Sequence, residues 1–125
     1  MSASPTVEHI RNVFQRYVDL VTSGDFEAVA GLYAEDATVE DPIGSELKRG
    51  RDAIREFYRV SSGMVDLKLE GRVRVAGREA AAAMIARPTA AAGMVIETLD
   101  VMTFNDDGLI TSMRAFWSPD TIYRE

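Results

Sequence analysis

The chain has 125 residues, of which 46% are hydrophobic and 27% charged, with no cysteine and one histidine. These values predict one globular domain, residues 1–125, with a single core, and they exclude disulfides, thiol nucleophiles and thiolate metal sites. Fourteen basic residues against twenty acidic ones give a formal charge of -6, which argues against a nucleic-acid partner because phosphate backbones are repelled.

No segment is typical of export or of membrane insertion. The first residues, Met1 to Thr6, lack a basic start followed by an apolar stretch, and no apolar run approaches the roughly 20 residues needed to cross a bilayer. We therefore expect a cytoplasmic protein with no membrane partner. The single histidine, His9, cannot build a multi-histidine metal site, so no metal is expected and His9 is given no role.

The first part of the chain is predicted to be helical. Apolar residues recur at spacings of three and four between Thr6 and Thr22, which places Tyr17 on the buried stripe of a first helix. Gly24 supplies a stop for this helix. Asp25 can then cap a second helix that runs from Phe26 to Ala34.

A short extended segment separates the second helix from a third. We expect extended backbone from Ala37 to Asp41, because Pro42 disfavours the helical conformation for the residue before it. After a loop, a third helix is predicted from Asp52 to Ser61, with Tyr58 on its inward face.

From Val65 onward the hydrophobic period changes to two, which is typical of strands. Four strands are expected: Val65 to Val75, Ala80 to Arg87, Met94 to Phe104 and Leu109 to Trp117. Gly71 is a candidate bulge in the first of them. The prediction is an α+β fold in which three helices pack on a curved antiparallel sheet.

One acid lies in the middle of an apolar strand. Asp100 shares its strand face with four apolar residues, Met94, Ile96, Met102 and Phe104. Burial among them should raise the pKa of this carboxyl group, so that it can stay protonated near neutral pH and donate a hydrogen bond. Such a group can stabilise a developing oxyanion.

Several segments, taken together, have a specific likeness. They are Arg16 to Val18, Gly24 to Val29, Ala37 to Ser45, Arg55 to Tyr58 and Met113 to Trp117. Combined with the Asp-Pro pair, the downstream strand acid and the upstream helical tyrosine, they resemble bacterial ketosteroid isomerase over nearly the whole chain. That family is itself the standing example of a carboxylic acid kept protonated by an apolar site, so the interpretation of Asp100 is not independent of it.

The resemblance implies a cone-shaped fold of the nuclear transport factor-like superfamily with a deep apolar pocket. It further implies a homodimer, a small-molecule steroid substrate and no cofactor. The apolar residues on the other face of the sheet, Val95, Leu99 and Val101, also favour a homodimer, since three short helices shield only one face.

Residue roles follow from the resemblance position by position. Asp41 matches the general base, Tyr17 the principal oxyanion donor and Asp100 the protonated second donor. The reaction implied is transfer of a proton from C4 of a 3-oxo-Δ5-steroid to C6, while the two donors bind the C3 oxygen of the dienolate. Supporting or substrate-binding positions are Tyr33, Tyr58 and Trp117.

Alternatives remain open at the sequence level. From the residues alone, a tyrosine at helical spacing such as Tyr17 is more often an ordinary core residue, and an aspartate before proline such as Asp41 is more often part of a turn. The superfamily also contains dehydratases, cyclases and epoxide hydrolases, and a shared fold does not determine the reaction. A noncatalytic carrier of a lipophilic ligand would need only the apolar pocket.

Overall fold

The computed structural model describes residues 4–125. Its helices are α1 (Val7–Ser23), α2 (Phe26–Ala30) and α3 (Arg51–Ser61). Its strands are β1 (Tyr33–Glu40), β2 (Lys48–Arg49), β3 (Val65–Ala76), β4 (Glu79–Pro88), β5 (Met94–Phe104), β6 (Ile110–Phe116) and β7 (Ile122–Arg124). None of the helices in this part of the chain is long and apolar enough to cross a membrane.

The strands form one curved sheet in the order β2-β1-β6-β5-β4-β3, with β7 paired to β5. The predicted α+β class, with three helices on this sheet, is confirmed. One detail differs, because β1 pairs in parallel with β6 and the sheet is therefore mixed. The sequence predicted a meander of the later strands but no pairing partner for the segment before Asp41, so its direction was undetermined.

The first helix forms as the apolar spacing predicts. Thr6 caps it by accepting a hydrogen bond from the backbone N–H of His9 at 3.0 Å, and Gly24, in the left-handed conformation, ends it. Its stripe of buried residues packs on the sheet and includes Ile10, Phe14 and Tyr17.

The second helix is shorter than predicted, and this moves a tyrosine into the sheet. The helix ends at Ala30 rather than Ala34, and Tyr33 is the first residue of β1. The chain leaves the helix because Leu32 already joins the next strand: its carbonyl accepts a hydrogen bond from the N–H of Ile110 at 2.9 Å. Pairing between strands distant in sequence therefore overrides the local helical pattern.

The other strands lie close to their expected positions. Strand β5 has the predicted bounds, Met94–Phe104. In β3 the pairing with β4 shifts between Glu70 and Arg74, and Gly71 inside this interval has a φ of 78°, as the predicted bulge requires. A bulge bends its strand, which contributes to the curvature of the sheet around the space under the helices.

Candidate active site

A cavity of about 270 Å³ lies between the helices and the concave face of the sheet. Its walls are mainly apolar and include Val21, Phe57, Val65, Leu67 and Ile96. Five of the six residues predicted from the sequence line it: Tyr17, Asp41, Tyr58, Asp100 and Trp117. The sixth, Tyr33, is not in the wall but is hydrogen-bonded to Tyr58, which is.

The parallel pairing of β1 and β6 places Asp41 beside Trp117. Both strands end at the same edge of the sheet, Asp41 follows the last residue of β1, and Trp117 follows the last residue of β6. The indole N–H of Trp117 donates a hydrogen bond to Oδ1 of Asp41 at 2.7 Å. Beyond Asp41 the backbone stays attached to β6, since the N–H of Ile43 donates to the carbonyl of Ala115 at 2.9 Å.

Asp41 is a half-buried carboxyl group with one strong donor. Burial raises its pKa above the ordinary value, and the hydrogen bond from Trp117 partly offsets that rise. The group therefore gains proton affinity but keeps a partner for its ionised form. A carboxylate in this condition is suited to take up a proton from a weak carbon acid.

Asp100 lies in the middle of β5 and is 3% exposed, which confirms the predicted burial. Its neighbours across the sheet are Ala82 on β4 and Ala115 on β6. Its pKa is raised to about 7, first by burial and then by the negative charge of Asp41, while a hydrogen bond from Thr98 lowers it. Below that pH the carboxyl group is mainly neutral and can donate.

Three tyrosines from three elements form a hydrogen-bonded chain. The hydroxyl oxygens of Tyr17 on α1 and Tyr58 on α3 are 3.0 Å apart, and those of Tyr58 and Tyr33 on β1 are 2.7 Å apart. All three rings are buried. Burial, as the first cause, raises the pKa of each hydroxyl well above its ordinary value, so all three are neutral donors.

Two observations concern residues outside the predicted set. Thr98 also lines the cavity and bonds to Asp100; it was not among the predicted site residues, although the two-residue period that placed Asp100 on the buried face puts Thr98 on the same face. His9 is not part of the cavity wall, and its Nε2 lies 2.8 Å from the carbonyl oxygen of Gly108.

Among residues 4–125, no group of three or more His, Cys, Asp or Glu side chains is arranged to hold a metal ion.

The arrangement places two carboxyl groups in different environments, and the neutral phenols of Tyr17 and Tyr58, on the wall of one apolar space. Asp41 can act as a base, while Tyr17 and Asp100 can donate hydrogen bonds. Low polarity in the walls strengthens each of these interactions relative to water.

Comparison with known proteins identifies a family and related proteins. Residues 14–113 match the model of the SnoaL-like domain family. A steroid Delta-isomerase from Nocardioides simplex is 46% identical over 111 residues, which is 88% of this chain and 90% of the relative. Among solved structures, the epoxide hydrolase/cyclase-like enzyme SalBIII, which has a role in pyran ring formation in the polyether salinomycin, superposes with a TM-score of 0.82 at 28% identity and covers 94% of this chain and 97% of its own.

The family model spans most of the chain, and the identity to the Nocardioides protein extends through both the helical part and the sheet. The resemblance to ketosteroid isomerase seen in the sequence is thereby confirmed. The chain belongs to the SnoaL-like domain family and is a relative of the steroid Delta-isomerases.

Proposed function

We propose that this enzyme is a steroid Delta-isomerase that converts a 3-oxo-Δ5-steroid to the Δ4 isomer without a cofactor. The observation that carries the proposal is the pair of carboxyl groups, Asp41 and Asp100, on the wall of one apolar cavity. Burial and the charge of Asp41 raise the pKa of Asp100 to about 7, whereas at Asp41 burial raises the pKa and the hydrogen bond from Trp117 lowers it. The relative that is 46% identical carries the name of this activity.

Asp41 is proposed as the base. The C4–H bond of the steroid breaks as the carboxylate takes the proton, and the electron pair moves through the C3 carbonyl to give a dienolate. The same carboxyl group then returns the proton to C6, and the Δ4 double bond remains conjugated with the regenerated ketone. Protons and electrons balance within this exchange, so no oxidant or reductant is required.

Tyr17 and Asp100 are proposed as the donors to the C3 oxygen. A proton beside a ketone is weakly acidic, so a carboxylate can remove it only if the charge that develops on oxygen is stabilised at the same time. Ionisation of Asp41 disfavours ionisation of Asp100, because a second negative charge nearby raises the pKa of Asp100. The base and the acid therefore hold their required protonation states together.

The remaining predicted residues support these three. In the proposed order, Tyr33 donates to Tyr58, Tyr58 donates to Tyr17, and Tyr17 donates to the substrate oxygen; the distances of 2.7 and 3.0 Å fit this chain. Each donated bond polarises the next hydroxyl. Trp117 holds Oδ1 of Asp41 and orients the base.

A homodimer in the cytoplasm is part of the proposal. On the face of the sheet opposite the cavity, Leu99, Phe116 and Tyr123 are 43%, 40% and 45% exposed. Leu99 and Phe116 are opposite each other across β5 and β6, so these two side chains form one apolar patch. Val95 does not contribute to it, because it is fully buried where β7 pairs with β5. A second copy of the chain would cover the surface, and sedimentation as a monomer at micromolar concentration would contradict this.

Two other functions compete with the proposal. A carrier of lipophilic ligands would use the apolar walls but would not need a base at Asp41. A cyclase or an epoxide hydrolase would also use one ionised and one protonated acid, and the structural relative SalBIII is epoxide hydrolase/cyclase-like. The steroid reaction is preferred because the Nocardioides relative shares 46% identity, against 28% for SalBIII.

The test is a direct assay on a 3-oxo-Δ5-steroid, followed by the ultraviolet absorbance of the conjugated enone, with the Asp41→Asn variant as control. We expect turnover by the wild-type protein and loss of turnover in the variant. Titration with a flat phenolic steroid, followed by its fluorescence, should show micromolar or tighter binding to both proteins, since the phenol imitates the dienolate oxygen. Binding without turnover in the wild-type protein would favour the carrier. If the wild-type protein neither bound the phenolic steroid nor turned over the substrate, the proposal of a steroid pocket would be refuted.

A further inference from the structure

Thr98 is the one hydrogen-bond partner of the Asp100 side chain within residues 4–125. The two residues are separated by one position on β5, so their side chains emerge on the same face of the sheet. Thr98 is half-buried and lines the cavity together with Asp100. Its hydroxyl donates to Oδ1 of Asp100 at 2.9 Å.

The second oxygen of Asp100 is open to the cavity. No completely enclosed side-chain oxygen or nitrogen in the described part of the chain lacks a hydrogen-bond partner. Oδ2 of Asp100 makes no hydrogen bond there, so it must be in contact with open space, and the space that Asp100 lines is the cavity. The carboxyl group thus presents one oxygen to Thr98 and the other to the cavity.

The surroundings offer Asp100 no substitute partner across the sheet. Its two cross-strand neighbours are Ala82 and Ala115, whose methyl groups can neither donate nor accept a hydrogen bond. The terminal torsion of an aspartate has a broad range of accessible angles. Without the hydroxyl of Thr98, either oxygen of the carboxyl group can turn toward the cavity.

Building on the proposed function, we propose that Thr98 is a positioning residue that fixes which oxygen of Asp100 carries the proton. By occupying Oδ1 as a donor, the hydroxyl leaves Oδ2 as the protonated oxygen, directed at the C3 oxygen of the substrate. Donation to Oδ1 also polarises the acid and strengthens the hydrogen bond that Oδ2–H gives. Thr98 therefore acts on the reaction through Asp100 and need not touch the substrate.

The same hydrogen bond has a second effect with a predictable sign. A donor to the ionised form stabilises it, so the Thr98 hydroxyl lowers the pKa of Asp100. The other titratable groups around this site are Asp41 at the end of β1, Tyr17 on α1 and Tyr58 on α3, which line the same cavity, and Tyr33 on β1, which is hydrogen-bonded to Tyr58. Asp41 is the only one of these four that is charged in the working state. Removal of the hydroxyl should raise the pKa of Asp100 and extend activity to higher pH.

The experiment compares Thr98→Val, which keeps the shape of the side chain, with Thr98→Ser, which keeps the hydroxyl. In Thr98→Val we expect kcat at the optimum to fall about three- to tenfold, the effect of one lost hydrogen bond, and the alkaline limb of the pH profile to move up by roughly one pH unit. Thr98→Ser should retain both wild-type values. A packing role alone would lower thermal stability without moving the alkaline limb. An unchanged kcat and an unchanged alkaline limb in Thr98→Val would overturn the proposal.

A readout that does not use activity separates this inference from the proposed function. Carbon-13 labelling of aspartate allows the Asp100 carboxyl group to be titrated by NMR in the protein without ligand, and its pKa should be higher in Thr98→Val and in Thr98→Ala than in the wild-type protein. Thr98→Ala supplies a second variant without the hydroxyl if the valine does not fit. An inactive wild-type protein would refute the proposed function, whereas an unchanged Asp100 pKa would refute the role of Thr98.

Discussion

Two carboxyl groups on the wall of the cavity occupy different kinds of position. Asp41 follows the end of β1, is half-buried and accepts a hydrogen bond from an indole N–H. Asp100 lies in the middle of β5 between two alanine neighbours and is 3% exposed. Burial raises the pKa of both: that of Asp100 rises to about 7, in part through the charge of Asp41, while the hydrogen bond from Trp117 partly offsets the rise at Asp41. Two residues of one type thus differ in environment through their place in the sheet, and this difference suits the proposed roles of Asp41 as base and Asp100 as proton donor.

The largest expected effect comes from removing the proposed base, Asp41. Asp41→Asn keeps the size of the side chain and abolishes its proton affinity, so turnover of a 3-oxo-Δ5-steroid should fall by about 10²- to 10⁴-fold. Phenolic steroids should still bind, because the donors to oxygen remain. The loss of the negative charge should also lower the pKa of Asp100, which carbon-13 NMR can measure. Turnover within tenfold of wild type would contradict the assignment.

The second effect tests Asp100 as a donor. Asp100→Ala removes one of the two proposed donors to the oxyanion, and kcat should fall on the order of 10²- to 10³-fold. Asp100→Asn keeps an N–H donor of similar size and should retain much more activity. A matched control is Asp36→Ala, which removes an exposed acid of β1 that lies outside the cavity wall. Equal losses in the Asn and Ala variants would mean that Asp100 is a structural acid.

A third effect concerns stability and follows from the raised pKa of Asp100. The folded protein holds this proton up to about pH 7, whereas an unfolded chain releases it near pH 3.9. The wild-type free energy of unfolding should therefore contain a contribution that is present below about pH 4 and is lost as the pH rises through 7, with a total of roughly 4 kcal/mol. Asp100→Asn lacks this contribution. Urea unfolding at pH 4 and pH 8 measures this, and the free energy of unfolding of the variant should rise relative to that of wild type at the higher pH. If the difference between the two free energies of unfolding were the same at both pH values, Asp100 would ionise freely in the folded state.

The smallest effect tests the donor to Asp41. Trp117→Phe keeps an aromatic ring and removes the N–H that stabilises the ionised carboxylate, so the pKa of Asp41 should rise. The acidic limb of the pH profile should move up by about one pH unit, because a hydrogen bond to a charged group contributes roughly 1.5–3 kcal/mol and water replaces part of it at a half-buried site. At pH 8 the variant should be nearly as active as wild type. If the acidic limb of the pH profile did not move in Trp117→Phe, the role of Trp117 would be packing alone.

Local pattern in the sequence determined much of this molecule. The spacing of apolar residues predicted α1, α3 and the bounds of β5, because each of these elements buries one face that repeats at its own period. The same alternation predicted that Asp100 is buried, since the even positions of β5 share its apolar face. The catalytic roles of Asp41, Tyr17 and Asp100 came from the family resemblance and remain predictions.

Only the tertiary structure decided how the distant parts meet. Tyr33 lies in a strand because β6 pairs with its segment, and the parallel direction of that pairing brings Asp41 and Trp117 together although 76 positions separate them. Val95 is fully buried and pairs with Tyr123 of the C-terminal strand β7, which the sequence did not predict. Pairing between strands depends on which partners are free once the other elements are in place, so no local pattern encodes it. The contact of Thr98 with Asp100 is different in kind: their spacing was visible in the sequence, and the structure showed that the two side chains bond.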